Sequence, residues 1–162
     1  MKTKGFTLIE LIVVIAIIGI LAAILVPSML GYVRNARASR LNANARSIYS
    51  AAQLAITDYN GGLLLIIEPD CVYTGSDDGM AHPDSANAAD CDLTNYLGEK
   101  FDGYFAFMTD SGASGCLYAM WSEHPISAAD VQQMTEREVK NSVRDGTSVG
   151  CHPLKRTVSD DT

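Results

Sequence analysis

The sequence predicts an α+β fold in which a long, bent N-terminal α-helix packs on a small antiparallel β-sheet. A run of 23 residues without charge, from Leu11 to Val33, is long enough to cross a bilayer as a helix, which needs about 20 residues. A helical pattern of apolar residues continues beyond this run, and the C-terminal half holds aromatic-rich runs typical of strands. At 162 residues, the chain has room for one modest domain besides the apolar segment.

The apolar run begins in an unusual way, because a short basic stretch ends in Gly5-Phe6 and a carboxylate, Glu10, follows close behind. An unpaired carboxylate costs about 2.5 to 3.5 kcal/mol at the centre of a bilayer and less near its surface. Glu10 therefore needs a partner that the single chain does not obviously supply. An ordinary secretory signal would end in a small-x-small cleavage site, whereas large apolar residues follow Ala22 and Ala23.

The helix is predicted to continue to about residue 60. Pro27 should bend it, because proline lacks an amide hydrogen and clashes with the preceding turn, and Gly19 is a second candidate for the kink. The sequence Asn-Gly-Gly at 60–62 is typical of a helix C-terminus. The polar half of the helix has one apolar stripe, at alternating steps of four and three residues: Leu41, Ala45, Ile48, Ala52, Ala55 or Ile56, and Tyr59.

The C-terminal half is predicted to form the sheet. An apolar run at 63–67 and a loop at 68–92 precede two strand-like runs, GYFAFMTD and GCLYAMWS, which SGASG joins as a hairpin. One more strand is expected around Cys151. A helix is expected to begin after Ser127 as N-cap, with Asp130 at the capping-box distance and a partial stripe of Val131, Met134 and Val139.

Charge is distributed unevenly along the chain. Arg34, Arg37, Arg40 and Arg46 form a basic patch without acids, whereas residues 47–162 hold six basic against 18 acidic residues, a net charge of −12. The acidic part is unsuited to binding nucleic acid, which requires cations on the contact surface. The basic patch suits lipid head groups or the acidic surface of a neighbouring molecule.

The chain carries none of the common enzyme motifs: it has no GxSxG, no Walker loop and no HExxH, and its three histidines are scattered. A role as an enzyme is therefore not expected. A group of acids is a calcium candidate but lacks the order of an EF-hand, so that a solvated loop is the alternative. These acids are Asp77, Asp78, Asp84, Asp90 and Asp92.

Four cysteines lie beyond the apolar run, and an even number in a small domain suits two disulfides in an oxidising compartment. Three connectivities exist. The pairing of Cys71 with Cys91 and of Cys116 with Cys151 is the expected one, because it ties down the acidic loop and the C-terminal tail. Zinc is the competing interpretation, with His82 and His152 nearby in the sequence, but no CxxC spacing occurs. Four unpaired thiols are a further alternative.

The segment KGFTLIELIVVIAIIGILAAILVP resembles the class III signal of type IV prepilins and of the related type II secretion and competence pseudopilins. The resemblance is dense from Lys4 to about Tyr32 and looser to Tyr59. It implies that a prepilin peptidase cuts after Gly5 and that Phe6, the new N-terminal residue, is N-methylated. It implies four segments: a leader at 1–5, a transmembrane and filament-core helix at 6–33, an amphipathic continuation at 34–60 and a globular domain at 61–162.

The resemblance also implies a function, that of a structural subunit of a type IV pilus. The implied partners are copies of the chain itself, the prepilin peptidase, and a membrane assembly platform with its ATPase. The implied location is the inner or cytoplasmic membrane as a single-pass precursor, and then an extracellular pilus. The alternatives are a pseudopilin of a secretion or DNA-uptake system and a membrane-anchored adhesion domain that does not polymerise.

Cleavage after Gly5 gives Glu10 a physical role. It creates a cationic amine on Phe6, four residues before Glu10 and on the same helix face. The amine of a neighbouring subunit can neutralise Glu10 when the two subunits are staggered along an axis. The pair would then both remove a buried charge and set the register of assembly.

Overall fold

The computed structural model describes residues 6–61, 68–97, 102–112 and 114–156. The chain divides into two compact units, one ending at Ala36 and one beginning at Arg37. Helix α1 (Leu8–Gly61) contributes to both units. The predicted leader, with Gly5, and the apolar run at 63–67 lie outside the described residues.

The first unit contains the predicted apolar helix. Every side chain of α1 from Leu8 to Ala36 is exposed, and the helix is continuous through Pro27. The hydroxyl of Ser28, next to this proline, donates a hydrogen bond of 2.8 Å to the carbonyl of Leu25. This first unit therefore has no apolar core of its own.

The second unit is built on a six-stranded antiparallel sheet with the strand order β3-β2-β1-β4-β5-β6. The central hairpin and the C-terminal strand agree with the prediction from the sequence. In the hairpin, Phe105 lies opposite Trp121, and in the last pair Met120 lies opposite Cys151. The strands are β1 (Val72–Gly75), β2 (Met80–Pro83), β3 (Cys91–Asp92), β4 (Tyr104–Thr109), β5 (Cys116–Ser122) and β6 (Val149–His152).

The expected loop at 68–92 is wrong in part, since it contains the three short strands β1, β2 and β3 and is followed by the short helix α2 (Thr94–Leu97). These strands have two to four residues and no clear alternation of apolar and polar side chains, which is the pattern that predicts a strand. The three strands join the rest of the sheet through β1, which pairs with β4, a strand distant in the sequence. The Asp78 carboxylate closes the turn before β2 by accepting a hydrogen bond of 3.1 Å from the amide of Met80.

The part of α1 from Arg37 onward packs on the sheet, as predicted. The stripe forms the core with the inner face of the sheet, and its described members are fully buried: Leu41, Ala45, Ile48, Ala52, Ala55 and Ile56. The side chain of Tyr59 lies outside the described part. The contact with β6 is close, because a Cβ added to Gly150 would lie 2.2 Å from the carbonyl oxygen of Leu41.

Two amide side chains of α1 fix the helix to the sheet. The Asn42 carbonyl oxygen accepts a hydrogen bond of 3.1 Å from the backbone amide of Cys151, and the Gln53 oxygen accepts one of 2.9 Å from the amide of Cys116. Both acceptors lie in the part of α1 that the sequence identifies as polar. They satisfy strand amides that the sheet leaves unpaired.

The predicted start of the helix after Ser127 is wrong. Ser127 caps only a 3₁₀ turn (Ala128–Asp130), and helix α3 (Glu136–Asp145) begins after Thr135. Thr135 and Glu138 form a complete capping box, which is a stronger start signal than the Ser127–Asp130 pair. The intervening amide of Met134 donates to the Cys151 sulfur at 3.4 Å, a bond that a continuous helix would not allow.

Candidate functional site: the N-terminal helix

The start of α1 is a capping box formed by Thr7 and Glu10. The Glu10 Oε2 atom accepts hydrogen bonds from the Thr7 amide at 2.9 Å and from the Thr7 hydroxyl at 2.6 Å. The Thr7 Oγ1 atom in turn accepts a hydrogen bond of 3.4 Å from the Glu10 amide. A carboxylate in the first turn is also favoured by the helix dipole. Within one chain, Glu10 therefore has a local partner that the charge argument did not identify.

The apolar surface of the first unit is fully available for contact. Phe6 is 78% exposed, and each large apolar side chain from Leu8 to Val33 is at least 45% exposed. In the described part of the chain, α1 is the one helix long and apolar enough to cross a membrane. Such a surface needs lipid or other apolar helices around it, because exposed apolar patches of this size are not stable in water.

The two candidate kink positions both lie inside the continuous helix. A Cβ added to Gly19 would meet nothing within 4 Å, so no contact of this chain requires a glycine there. Pro27 lacks an amide hydrogen and leaves the carbonyl of Ala23, four residues earlier, without its usual helical donor. A role for either residue in bending the helix stays a prediction.

Two of the four arginines of the basic patch are engaged within the second unit. Arg37 forms an ion pair with Glu123, and the Arg40 Nη2 atom lies 3.0 Å from the other oxygen of the same carboxylate. Partial burial would raise the pKa of Glu123, but hydrogen bonding and charge from Arg37, with Arg40, hold it below its ordinary value. The sequence offers no signal for this pair, because Glu123 is more than 80 residues away.

The four cysteines are buried as thiols and are not bonded to one another. Cys71 directly precedes β1 and Cys91 begins β3, and these two strands lie two positions apart, about 10 Å across the sheet. Cys151 lies opposite Met120, four residues or about 13 Å along β5 from Cys116. A disulfide needs Cα atoms within about 7 Å. Neither predicted pair is bonded in this structure, and the connectivity stays a prediction.

Burial explains the chemistry of these thiols. It raises the pKa of Cys116 to about 12, with a further contribution from the charge of Asp110. It also raises the pKa of Cys71 to about 11, together with a hydrogen bond of 3.0 Å from the Cys71 sulfur to Asp84. Thiols of this kind stay protonated at neutral pH, so they are poor nucleophiles and poor metal ligands.

The acids proposed as calcium ligands do not converge. In the described residues, no group of three or more His, Cys, Asp or Glu side chains could hold a metal ion. Several of these acids cap turns or pair locally. Asp92 accepts from the Thr94 amide at 2.8 Å, Asp84 accepts from the Val72 amide at 3.0 Å, and Asp90 lies 3.1 Å from His82. A solvated, acidic part of the sheet is the arrangement observed.

Comparison with protein families gives one match, and it falls on this N-terminal site. Residues 1–26 match the family described as the prokaryotic N-terminal methylation motif. The chain therefore carries the N-terminal methylation motif at the segment that resembles type IV prepilins. The family resemblance predicted from the sequence is thereby confirmed.

Curated relatives of this chain are pilus proteins. The type IV major fimbrial protein of Dichelobacter nodosus is 36% identical over 115 residues, which cover 70% of this chain and 62% of that protein. The type IV major pilin of Myxococcus xanthus is 44% identical over 50 residues, 31% of this chain and 23% of the relative. The type IV narrow pilus major component of Thermus thermophilus is 44% identical over 61 residues, which cover 38% of this chain and 53% of the relative.

The chain thus matches less than two thirds of the length of each of these relatives. No solved structure matches the chain.

Proposed function

We propose that this chain is a type IV prepilin and a structural subunit of a type IV pilus, cleaved after Gly5, N-methylated on Phe6 and polymerised through the apolar part of α1. The observation that carries the proposal is the exposed, uncharged helical surface from Leu11 to Val33, most of which lies within the N-terminal methylation motif at residues 1–26. A monomer outside a membrane would expose this apolar surface to water, which is unfavourable. A filament core made of many copies of this helix buries it.

Glu10 supplies the register of assembly in this proposal. In the described residues, both hydrogen bonds that the Glu10 carboxylate accepts end on Oε2 and come from Thr7. Oε1 then receives the cationic amine of Phe6 from a neighbouring subunit. The capping box holds the carboxylate in one position before assembly, and pre-positioning lowers the conformational entropy lost when the pair forms.

The proposed layout assigns each segment one task. The leader at 1–5 is the peptidase substrate, and 6–33 anchors the precursor in the membrane and then enters the filament core. The polar continuation at 34–60 carries the sheet domain, and 61–162 forms the outer surface of the filament. The proposed partners follow: the prepilin peptidase, an assembly platform with its ATPase, and further copies of the chain.

A structural role, without catalysis, fits the relatives, which are named as pilus and fimbrial components. The same names favour a pilus subunit over a pseudopilin of a secretion or DNA-uptake system. A membrane-anchored adhesion domain would remain a monomer in the membrane. The proposed location of the mature protein is the cell surface.

The test is to shear cells and image the released fraction by electron microscopy with an antibody to this protein. The proposal expects labelled filaments whose subunits begin at Phe6 and carry a methylated amine, as read by intact mass and N-terminal sequencing. A protein that keeps Met1, or that begins beyond Pro27, would rule out this processing. A correctly processed protein that stays in the membrane fraction without filaments would favour the non-polymerising alternative.

A further inference from the structure

Acidic and basic residues lie in separate segments of this chain. From Leu11 to Thr57 the chain has four arginines and no acid, and from Glu68 to Leu97 it has seven acids and neither lysine nor arginine. Surfaces of soluble proteins usually intersperse the two signs. In the structure, the acidic segment and several basic residues lie at opposite edges of the sheet.

The acidic residues lie at one edge of the sheet. Strands β1, β2 and β3 form that edge, and the carboxylates stand in their connections and at their ends. Asp77 and Asp78 are exposed in the turn between β1 and β2. Asp90 is 53% exposed just before β3, and its neighbour His82 lies on β2. We call this surface, with Asp77, Asp78, Asp84, Asp90 and Asp92, the acidic edge.

The opposite edge, formed by β6, carries cations. Lys155 and Arg156 follow β6 and are exposed. Arg46 of α1 lies close to the same strand. The ring of Tyr49, three residues further along α1, contacts the ring of His152 in β6, with 5.2 Å between the ring centroids. The pKa of His152 is lowered by its burial and by the positive charge of Arg46.

Helix α3, which packs near β6, adds no net charge to this edge. It has three bases and three acids: Arg137, Lys140 and Arg144 against Glu136, Glu138 and Asp145. We call Arg46, Lys155 and Arg156 the cationic edge.

We propose that the acidic edge of one copy docks against the cationic edge of the next copy in the filament. This inference rests on the proposed function and names the surface by which neighbouring sheet domains recognise each other. Five strand spacings separate β3 from β6, about 24 Å, so one subunit cannot pair its own edges. A contact between two different surfaces is head-to-tail, and such contacts generate open helical arrays when the rotation does not close.

A second copy fits this surface better than a lipid head group does. An anionic membrane would attract the cationic edge but repel the seven acids of the same domain. A second copy satisfies both edges at once and excludes the opposite orientation, in which like charges would meet. Arg37 and Arg40, already paired with Glu123, are not needed for it.

Carbodiimide cross-linking of sheared filaments tests the proposal, because this reagent joins a carboxylate to an amine only where the two are in contact. The expected product links Lys155 of one copy to a peptide containing Asp77, Asp78, Asp84, Asp90 or Asp92 of another, identified by mass spectrometry. Lys155 lies near Glu138 in its own chain, so a Lys155–Glu138 product is the internal positive control. The variant Lys155→Arg keeps the charge but has no primary amine, so it should lose both products.

Charge reversal gives a second readout. Asp77→Lys and Arg46→Glu should each reduce filament yield and make it more sensitive to salt, by roughly two- to fivefold per lost pair. The matched control is Asp102→Lys, a reversal at an exposed position just before the central strand β4, which should leave the yield unchanged.

The outcomes separate this surface from the proposed function. Filaments that give the Lys155–Glu138 product but no link to the acidic edge would overturn the proposed contact while leaving the pilus subunit intact. If no filaments form, the same reaction is done on the full chain in membranes. A link between edges there supports the contact without the pilus, and its absence overturns the contact.

Discussion

Thr7 and Glu10 close a reciprocal capping box at the first turn of α1, with the Thr7 hydroxyl and amide both bonded to one oxygen of the Glu10 carboxylate. The same carboxylate is the proposed acceptor for the amine of a neighbouring subunit. One acid at the boundary of the apolar run begins the helix, and in the proposed function it also sets the register of assembly.

Replacement of Thr7 by valine should weaken the helix start without abolishing assembly. The variant keeps the shape of the side chain but removes the hydroxyl, at a cost of about 1 kcal/mol for a lost N-cap. Glu10 keeps its charge, so filaments should form with moderately reduced yield. Filament yield after shearing is the measurement, and Thr7→Ser, which keeps the hydroxyl, is the control. A Thr7→Val protein that forms no filaments would indicate that the capping box itself is required.

Replacement of Gly150 by alanine should destabilise the second unit. The added Cβ would lie 2.2 Å from the Leu41 carbonyl oxygen, so β6 must move away from α1. Overpacking of this kind costs about 1 to 3 kcal/mol. The control is Gly112→Ala, where the nearest atom, Ser114 Oγ, is at an ordinary 3.5 Å. Thermal unfolding of the full chain in detergent, followed by near-ultraviolet circular dichroism, should show a lower midpoint for Gly150→Ala alone.

The buried thiols predict a loss of stability at high pH. Burial raises the pKa of Cys116 from 9.0 to about 12, so the unfolded chain releases this proton before the folded one does. The stabilisation is complete below pH 9 and falls as the pH rises from 9 towards 12, at up to about 1.4 kcal/mol per pH unit for one thiol.

Urea unfolding of the wild type and of Cys116→Ala at pH 8 and pH 10.5 measures this effect. The free energy of unfolding of the wild type should fall more between the two pH values than that of the variant. Equal pH dependence would mean that Cys116 does not titrate on unfolding. Rapid labelling of all four cysteines by iodoacetamide at pH 7 in the folded protein would contradict their burial.

Local patterns in the sequence predicted α1, its buried stripe and the strands β4, β5 and β6. Helical periodicity and aromatic-rich runs belong to the segments themselves, so they can be read without the rest of the fold. The strands β1 to β3 could not be predicted in this way, because their few residues lack alternation and depend on a distant partner such as Met108 opposite Val72.

Two helix starts have a capping-box pattern in the sequence that the predictions above did not use. The pattern Thr7-x-x-Glu10 before an apolar run is a capping box, and so is Thr135-x-x-Glu138, which sets the true start of α3. The ion pairs of Glu123 had no such signal. Neither had the separation of the cysteines, since it follows from strand order and from the register of Met120 opposite Cys151.

The pairing of Glu10 with the Phe6 amine of a neighbour is the central claim, and Glu10→Gln tests it most directly. Glutamine keeps the shape and its oxygen still accepts the hydrogen bonds from Thr7, but the charge that attracts the amine is absent. The measurement is the amount of this protein in sheared filaments relative to the membrane, in cells that make only the variant. The account predicts a correctly cleaved, membrane-inserted protein with at least a tenfold loss of filaments, the effect of about 1.4 kcal/mol per contact. Filaments at the wild-type level would contradict it.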